Sequence, residues 1–185
     1  MLRKPRLEDG HDLLEYVGDP DVMRWIGGET GDLAATVATI ERWLARWDES
    51  DIGTFSVVHE GKVVGRVGFL IWDADGWDIS SYARAVEPVT ELGWTIAQRH
   101  WGHGYATEAA RALRPWVYEH GVESLISLIN PANVRSIRVA EKLDAVPTDT
   151  VEGPLHGSVR PSSRPVAGAI DVALELSPED AFEPR

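Results

Sequence analysis

The 185-residue chain contains no cysteine, which excludes a disulfide framework, a thiolate nucleophile and a cysteine-ligated metal. No apolar run approaches 18 residues, so no membrane-spanning segment is expected. The basic start, Met1-Leu2-Arg3-Lys4-Pro5-Arg6, runs on without an apolar h-region, and a cytoplasmic location is the default expectation. Positive charge is scarce: 18 Lys plus Arg stand against 30 Asp plus Glu, for a net charge of −12. That balance argues against a nucleic-acid partner, whose phosphates must be neutralised by cations. What is present is ordinary globular composition, with 43% apolar and 26% charged residues. There is no internal repeat, and the length predicts one domain.

Along the chain, a helix is expected over 9–17, with Asp9 as its cap and Leu13, Leu14 and Val17 on one face. Asp32 precedes Leu33, Val37, Ile40, Leu44 and Trp47, whose spacing of 4, 3, 4 and 3 predicts a core-facing helix with Trp43 beside the stripe. Strands 55–58 and 62–72 flank Gly61 and read as a hairpin. Asp73-Ala74-Asp75-Gly76 matches a calcium loop for three residues only and reads as a turn. A strand over 89–96 enters a glycine loop, and a helix over 105–120 follows, kinked at Pro115 and closed by Gly121. Residues 124–130 read as a buried strand, and Asn133 caps a helix to Leu143. Residues 152–165 read as a mobile loop, and Ile170, Val172, Leu174 and Leu176 alternate as a last strand. The acidic stretch 177–185 reads as a disordered tail.

The chemistry concentrates in Glu91-Leu-Gly-Trp-Thr-Ile-Ala-Gln-Arg-His-Trp-Gly-His-Gly-Tyr-Ala-Thr-Glu-Ala109. Gly102 and Gly104 allow positive φ and close approach of a ligand, and the unpaired amides of the next helical turn converge on an anion site. A P-loop needs a lysine after the glycine, and none follows here. The dinucleotide fingerprint needs a third glycine where Thr107 stands.

Arg99-x-x-Gly-x-Gly104, extended as Trp-Gly-x-Gly-Tyr-Ala-Thr-Glu-Ala from Trp101 to Ala109, resembles motif A of the Gcn5-related N-acetyltransferases (GNAT). The extended form is similar to the branch containing the ribosomal-protein and amino-acid acetyltransferases. Asn130-Pro-Ala-Asn-Val-Arg-Ser136 followed by Val139-Ala-Glu-Lys-Leu143 resembles the family's motif B. There the family's Gly-Phe is replaced by Asp144-Ala145, and Asp tolerates the left-handed conformation better than most residues. The resemblance covers residues 2–176, taken as the domain 1–176 ahead of the tail.

The resemblance implies a mixed α/β fold: a splayed, mostly antiparallel sheet of six or seven strands with helices on both faces. It implies acetyl-CoA as acyl donor and an amine on a small molecule or a peptide N-terminus as acceptor, in a monomer or homodimer. Trp94, Thr95 and Ile96 would bond pantetheine by their backbone. Arg99, Gly102, His103, Gly104, Tyr105, Ala106 and Thr107 would hold the pyrophosphate. Asn133 and Ser136 would face the thiol, with Ser136 as hydrogen-bond donor because no tyrosine follows Tyr118. Their plain readings are an N-cap and a third-position helix residue.

Glu91, on the strand before the loop, is the candidate base, and burial would raise its pKa toward that task. Its plain reading is a solvated strand residue or an ion pair. Most of the eight tryptophans read as core, while Trp25 and Trp77 flank turns and are candidates for the acceptor pocket. His100 and His103 lie in a loop without a third metal ligand in sequence, so no metal is expected. An acceptor arriving as a cation would be drawn by negative charge at residues 73–78, Glu87 and Glu91, unless those charges serve only solubility. A non-catalytic acyl-CoA-binding module on the same fold, or a nucleotide-binding domain of another fold, are the alternatives.

Overall fold

The computed structural model describes residues 1–27, 30–75, 77–152 and 170–176. Strands are β1 (Leu2–Arg3), β2 (Thr54–His59), β3 (Lys62–Asp73), β4 (Asp78–Ile79), β5 (Pro88–Ile96), β6 (Leu125–Ile129), β7 (Val146–Glu152) and β8 (Ile170–Glu175). Helices are α1 (Gly10–Val17), α2 (Pro20–Met23), α3 (Leu33–Ser50), α4 (Tyr105–Glu119) and α5 (Val134–Glu141). The sheet runs β1-β2-β3-β5-β6-β8-β7, with β4 paired to β3 outside that path. Every pairing is antiparallel except β5 with β6.

Local chemistry sets these elements. Glu60 and Gly61 both have positive φ, 49° and 80°, the turn whose twist matches the β2–β3 hairpin. The Asp32 carboxylate accepts from the Ala35 amide at 2.8 Å and starts α3. Ala110, Leu113 and Val117 of α4 pack on Val67, Phe69 and Leu92 on one face of the sheet. Leu13 and Tyr16 of α1 and Ile40 and Trp43 of α3 cluster with Val63 on the other. Asp144 ends the α5 segment at φ 55°, the left-handed conformation expected of it.

Three expectations change. Asp9 does not cap α1 with its side chain. It is buried instead, taking Arg3 Nη1 and Nη2 at 2.8 and 2.6 Å, Ser56 Oγ at 2.7 Å and the Arg6 amide at 3.0 Å. This ties the N-terminal strand to β2, a long-range role that local capping rules cannot show. Second, β7 has no counterpart in the sequence reading. Its residues Val-Pro-Thr-Asp-Thr-Val-Glu carry a proline and mostly polar side chains, which an edge strand accommodates because one row of its amides needs no partner. Glu152 therefore ends a strand; the rest of 152–165, His156 and the stretch 177–185 lie outside the described residues. Third, α4 ends at Glu119 and α5 at Glu141, slightly short of the expected bounds. No helix among the described residues is long and apolar enough to cross a membrane.

Candidate active site

β5 and β6 pair only at Thr90–Leu125 and Glu91–Ile126, then part. At the fork, Ser127 Oγ donates to the Leu92 carbonyl at 2.7 Å, a buried side-chain bridge where backbone pairing stops. Beyond it the β5 edge from Gly93 to Ile96 has no β6 partner. A cleft of about 710 Å³ opens there, lined by Glu91, Trp94, Thr95, Ile96, residues 102–107, Asn133 and Ser136. The Thr95 hydroxyl in this wall is buried and has no hydrogen-bond partner among the described residues.

The loop between β5 and α4 is held from within. Trp101 Nε1 donates to the Ile96 carbonyl at 2.7 Å, and the Arg135 guanidinium lies over the Trp101 ring at 4.5 Å. Gly102 and Gly104 have φ of 81° and 86° with open space where a Cβ would stand. Gly104 precedes α4 and brings no side chain to cap it, so the first amides of the helix lack intrahelical acceptors at the positive end of the dipole. The Asn133 side chain accepts from the Ser136 amide at 3.3 Å, the plain capping role, while both residues line the cleft. His103 stacks on Tyr105 at 5.7 Å. Burial and the neighbouring Arg99 charge hold His100 below the usual histidine pKa.

Glu91 is 2% exposed, neither solvated nor on the surface. Trp72 Nε1 donates to its Oε2 at 2.7 Å. Trp72 lies on the adjoining strand, where Leu70 is opposite Glu91 and Trp72 opposite Val89, so the contact is a diagonal across the pair. Sequence reasoning placed Trp72 in the core and missed this bond, because register between distant strands has no local signal.

Two candidates fall elsewhere. Arg99 is outside the cleft lining, and its Nη2 pairs with Glu15 Oε2 at 2.6 Å. Trp77 is outside it too, tilted against Trp72 at 6.5 Å, whereas Trp25 does line the cleft, with the Arg24 guanidinium over its ring.

The expected negative field is also corrected: Glu91 is the only carboxylate among the described residues lining the cleft. Asp73 instead accepts the amides of Val86 and Glu87 at 2.9 and 3.2 Å, bonds that hold its carboxyl below the ordinary value. The lining is cationic at both ends. Arg135, Arg138 and Lys142 lie on and just after α5, and Arg24, Arg42, Arg46 and Arg66 lie around α2, α3 and β3. The spacings 135, 138, 142 and 42, 46 are one-face helical periods, a signal the sequence carried unread.

The family model described as "Acetyltransferase (GNAT) domain" matches residues 1–146. The chain is 48% identical over 130 residues to the uncharacterized protein YkkB of Bacillus subtilis, covering 68% of each chain. It is 24% identical over 152 residues to the uncharacterized N-acetyltransferase p20 of Bacillus licheniformis, covering 77% of this chain and 76% of that one. In fold it is similar to the aminoglycoside acetyltransferase AAC(6')-Ib in complex with coenzyme A and kanamycin. That likeness has a TM-score of 0.69 at 19% identity, over 95% of this chain and 92% of the other.

Proposed function

The chain belongs to the GNAT acetyltransferase family, and from that premise we propose that it transfers an acetyl group from acetyl-CoA to a primary amine by direct attack. The observation that carries this reading is the continuity of one cleft from the unpaired β5 edge, past a buried Glu91, to the uncapped first turn of α4. The residues present fit the donor. The β5 edge at 94–96 offers backbone bonds to pantetheine, and the amides of residues 102–107 offer an anion site to the pyrophosphate. Arg135, Arg138 and Lys142 add charge beside that loop. Bound acetyl-CoA supplies an acetyl group activated as a thioester, whose sulfur is a competent leaving group.

The chain's own residues do the rest. An amine is mostly protonated near neutral pH and attacks only after losing a proton. Glu91 takes that proton, directly or through a water, while Trp72 Nε1 holds the carboxylate in place. Asn133 begins α5 at the mouth of the fork and so presents Ser136, whose hydroxyl donates a hydrogen bond toward the sulfur. Trp25 contributes an aromatic wall to the acceptor side. The segment 101–109 supports placement in the branch of ribosomal-protein and amino-acid acetyltransferases.

Thermal shift and thiol release together test the reading. Acetyl-CoA at about 100 times its Kd adds roughly 2.7 kcal/mol, which raises Tm by roughly 5–11 °C for a chain of this size. ATP and NAD give no such shift. No shift with acetyl-CoA, or an equal one with ATP, overturns the assignment. Stabilisation without thiol release across an amine panel makes the protein a binding module instead.

A further inference from the structure

Three guanidiniums gather on the wall of the cleft formed by α3 and β3. Arg42 and Arg46 lie one turn apart on α3, and Arg66 projects from β3. Arg66 sits over the Trp43 ring at 5.7 Å and beside the Tyr16 hydroxyl. None of the three forms an ion pair among the described residues, in a chain with 30 carboxylates. Other arginines do pair: Arg3 with Asp9, Arg84 with Glu49 and Arg99 with Glu15. Glu49, three residues after Arg46, is thus turned to Arg84. Burial, then the charges of Arg66 and Arg42, pushes the Arg46 guanidinium below its usual value, against a smaller opposing pull from Glu49.

The same wall carries a buried hydroxyl without a partner. Thr95 is opposite Arg66 in the β3–β5 register, so both project from one face of the sheet, and Thr95 is 5% exposed. Gly93, two residues before it, leaves a space on that face. A Cβ at Gly93 would stand 3.6 Å from Glu91 Oε1 and 3.9 Å from Arg66 Nη1. Base and guanidinium therefore face the same point of the cleft wall beside Gly93. The second cationic group, on and just after α5, is separate: Lys142 shares a groove with Gly104 and Thr107, whereas Arg66 lies by Tyr16 and Trp43.

We propose that the acceptor is an amine that also carries an oxyanion, carboxylate or phosphate, within a few bonds of the nitrogen, with Arg66, Arg42, Arg46 and Thr95 as its receptor. This deepens the acetyltransferase reading and rests on it. The nitrogen lies toward Glu91 and the oxyanion toward Arg66, across the space above Gly93. Guanidinium bonds to an oxyanion are charge-assisted, and the aromatic rings of Trp25 and Trp43 suit an apolar body.

The test has a binding arm and a turnover arm, each with CoA or acetyl-CoA saturating. In the first, phenylacetate and the neutral phenylacetamide are titrated against the CoA-bound protein. Phenylacetate binds roughly 10–100-fold tighter, the range of charge-assisted bonds, and Arg66→Gln and Arg42→Gln each reduce that preference. Arg42 is exposed, so its variant remains informative where Arg66→Gln folds poorly. In the turnover arm, the amino acid phenylalanine is compared with phenethylamine, and phosphoethanolamine with ethanolamine. The anion-bearing member of at least one pair has the higher kcat/KM, and the pair identifies carboxylate or phosphate. Gly93→Val raises KM for that acceptor while the acetyl-CoA thermal shift is retained. Equal affinity for phenylacetate and phenylacetamide, or a preference for the uncharged amines in both pairs, overturns the proposal. A missing acetyl-CoA shift overturns the acetyltransferase reading instead, and the phenylacetate arm, repeated without CoA, still reads.

Discussion

The two ends of the cleft are built in different ways. At the proposed donor end, one continuous stretch supplies the backbone part: strand β5, two glycines at positive φ, and the first turn of α4. At the proposed acceptor end, α1, α3, β3 and β5 each contribute a few side chains, and no two of these elements are adjacent in the local motif that builds the other end. A backbone-amide site depends on local conformation, so a short motif encodes it. A side-chain site depends on which faces of distant elements meet. The proposed donor end thus rests largely on backbone, and the proposed acceptor end on side chains.

The largest effect that sharpens this contrast is expected at Glu91, where the two ends meet. Glu91→Gln keeps the Trp72 bond partner and the shape but not the base, and lowers kcat by roughly 10²–10⁴. Its acetyl-CoA thermal shift stays within error of the parent. Full turnover from pH 6 to 9 would show that Glu91 is structural and that the amine loses its proton in solution.

At the donor end, Gly104→Val opposes a φ of 86° and sets a branched side chain over the uncapped amides. Acetyl-CoA affinity falls by about 100-fold or more, the loss of a 2.7 kcal/mol stabilisation at fixed ligand. Calorimetric titration reads it directly. An unchanged affinity would break the assignment of the loop to phosphate.

The smallest effect lies away from both ends. Asp9→Asn removes the charge that holds Arg3, Ser56 and the Arg6 amide, costing roughly 1–3 kcal/mol and a Tm drop of about 2–12 °C. Burial alone would raise the Asp9 carboxyl, but the bonds from Arg3, Ser56 and Arg6 outweigh it, and the net value is lowered. A carboxyl lowered by folding stabilises above its unfolded value, about pH 4, and loses that contribution as pH falls through its folded value. The Tm gap between parent and Asp9→Asn therefore narrows as pH falls below about 4. A gap constant from pH 7 to 3 would deny Asp9 this role. Neither acetyl-CoA affinity nor acceptor preference is expected to follow it.

Local signals carried much of the fold. The 4, 3, 4, 3 stripe of α3, the Gly61 hairpin and the alternation at 170–176 each formed the expected element. β7 escaped because an edge strand with a proline shows neither alternation nor continuous apolarity. Site residues divide along the same line. Gly102, Gly104 and residues 94–96 line the cleft. Arg99 and Trp77 turned elsewhere because free side chains go to the nearest partner, Glu15 for one and Trp72 for the other.

The sequence by itself determined the turns, the caps and the glycine loop, since each is a matter of φ, ψ and the hydrogen bonds of residues a few positions apart. It also determined the net charge of −12, which averages over the whole surface. Only the tertiary structure decided where that charge lies. Among the described residues, packing α1 and α3 against β3 and β5 left one carboxylate and a group of arginines without ion pairs in the cleft lining, so that lining and the chain as a whole differ in sign. Coulomb interactions act over a few ångströms inside a protein and are screened beyond about 10 Å at 0.1 M salt. What a ligand meets is thus the few charges folding brings together, which no sum over the sequence contains.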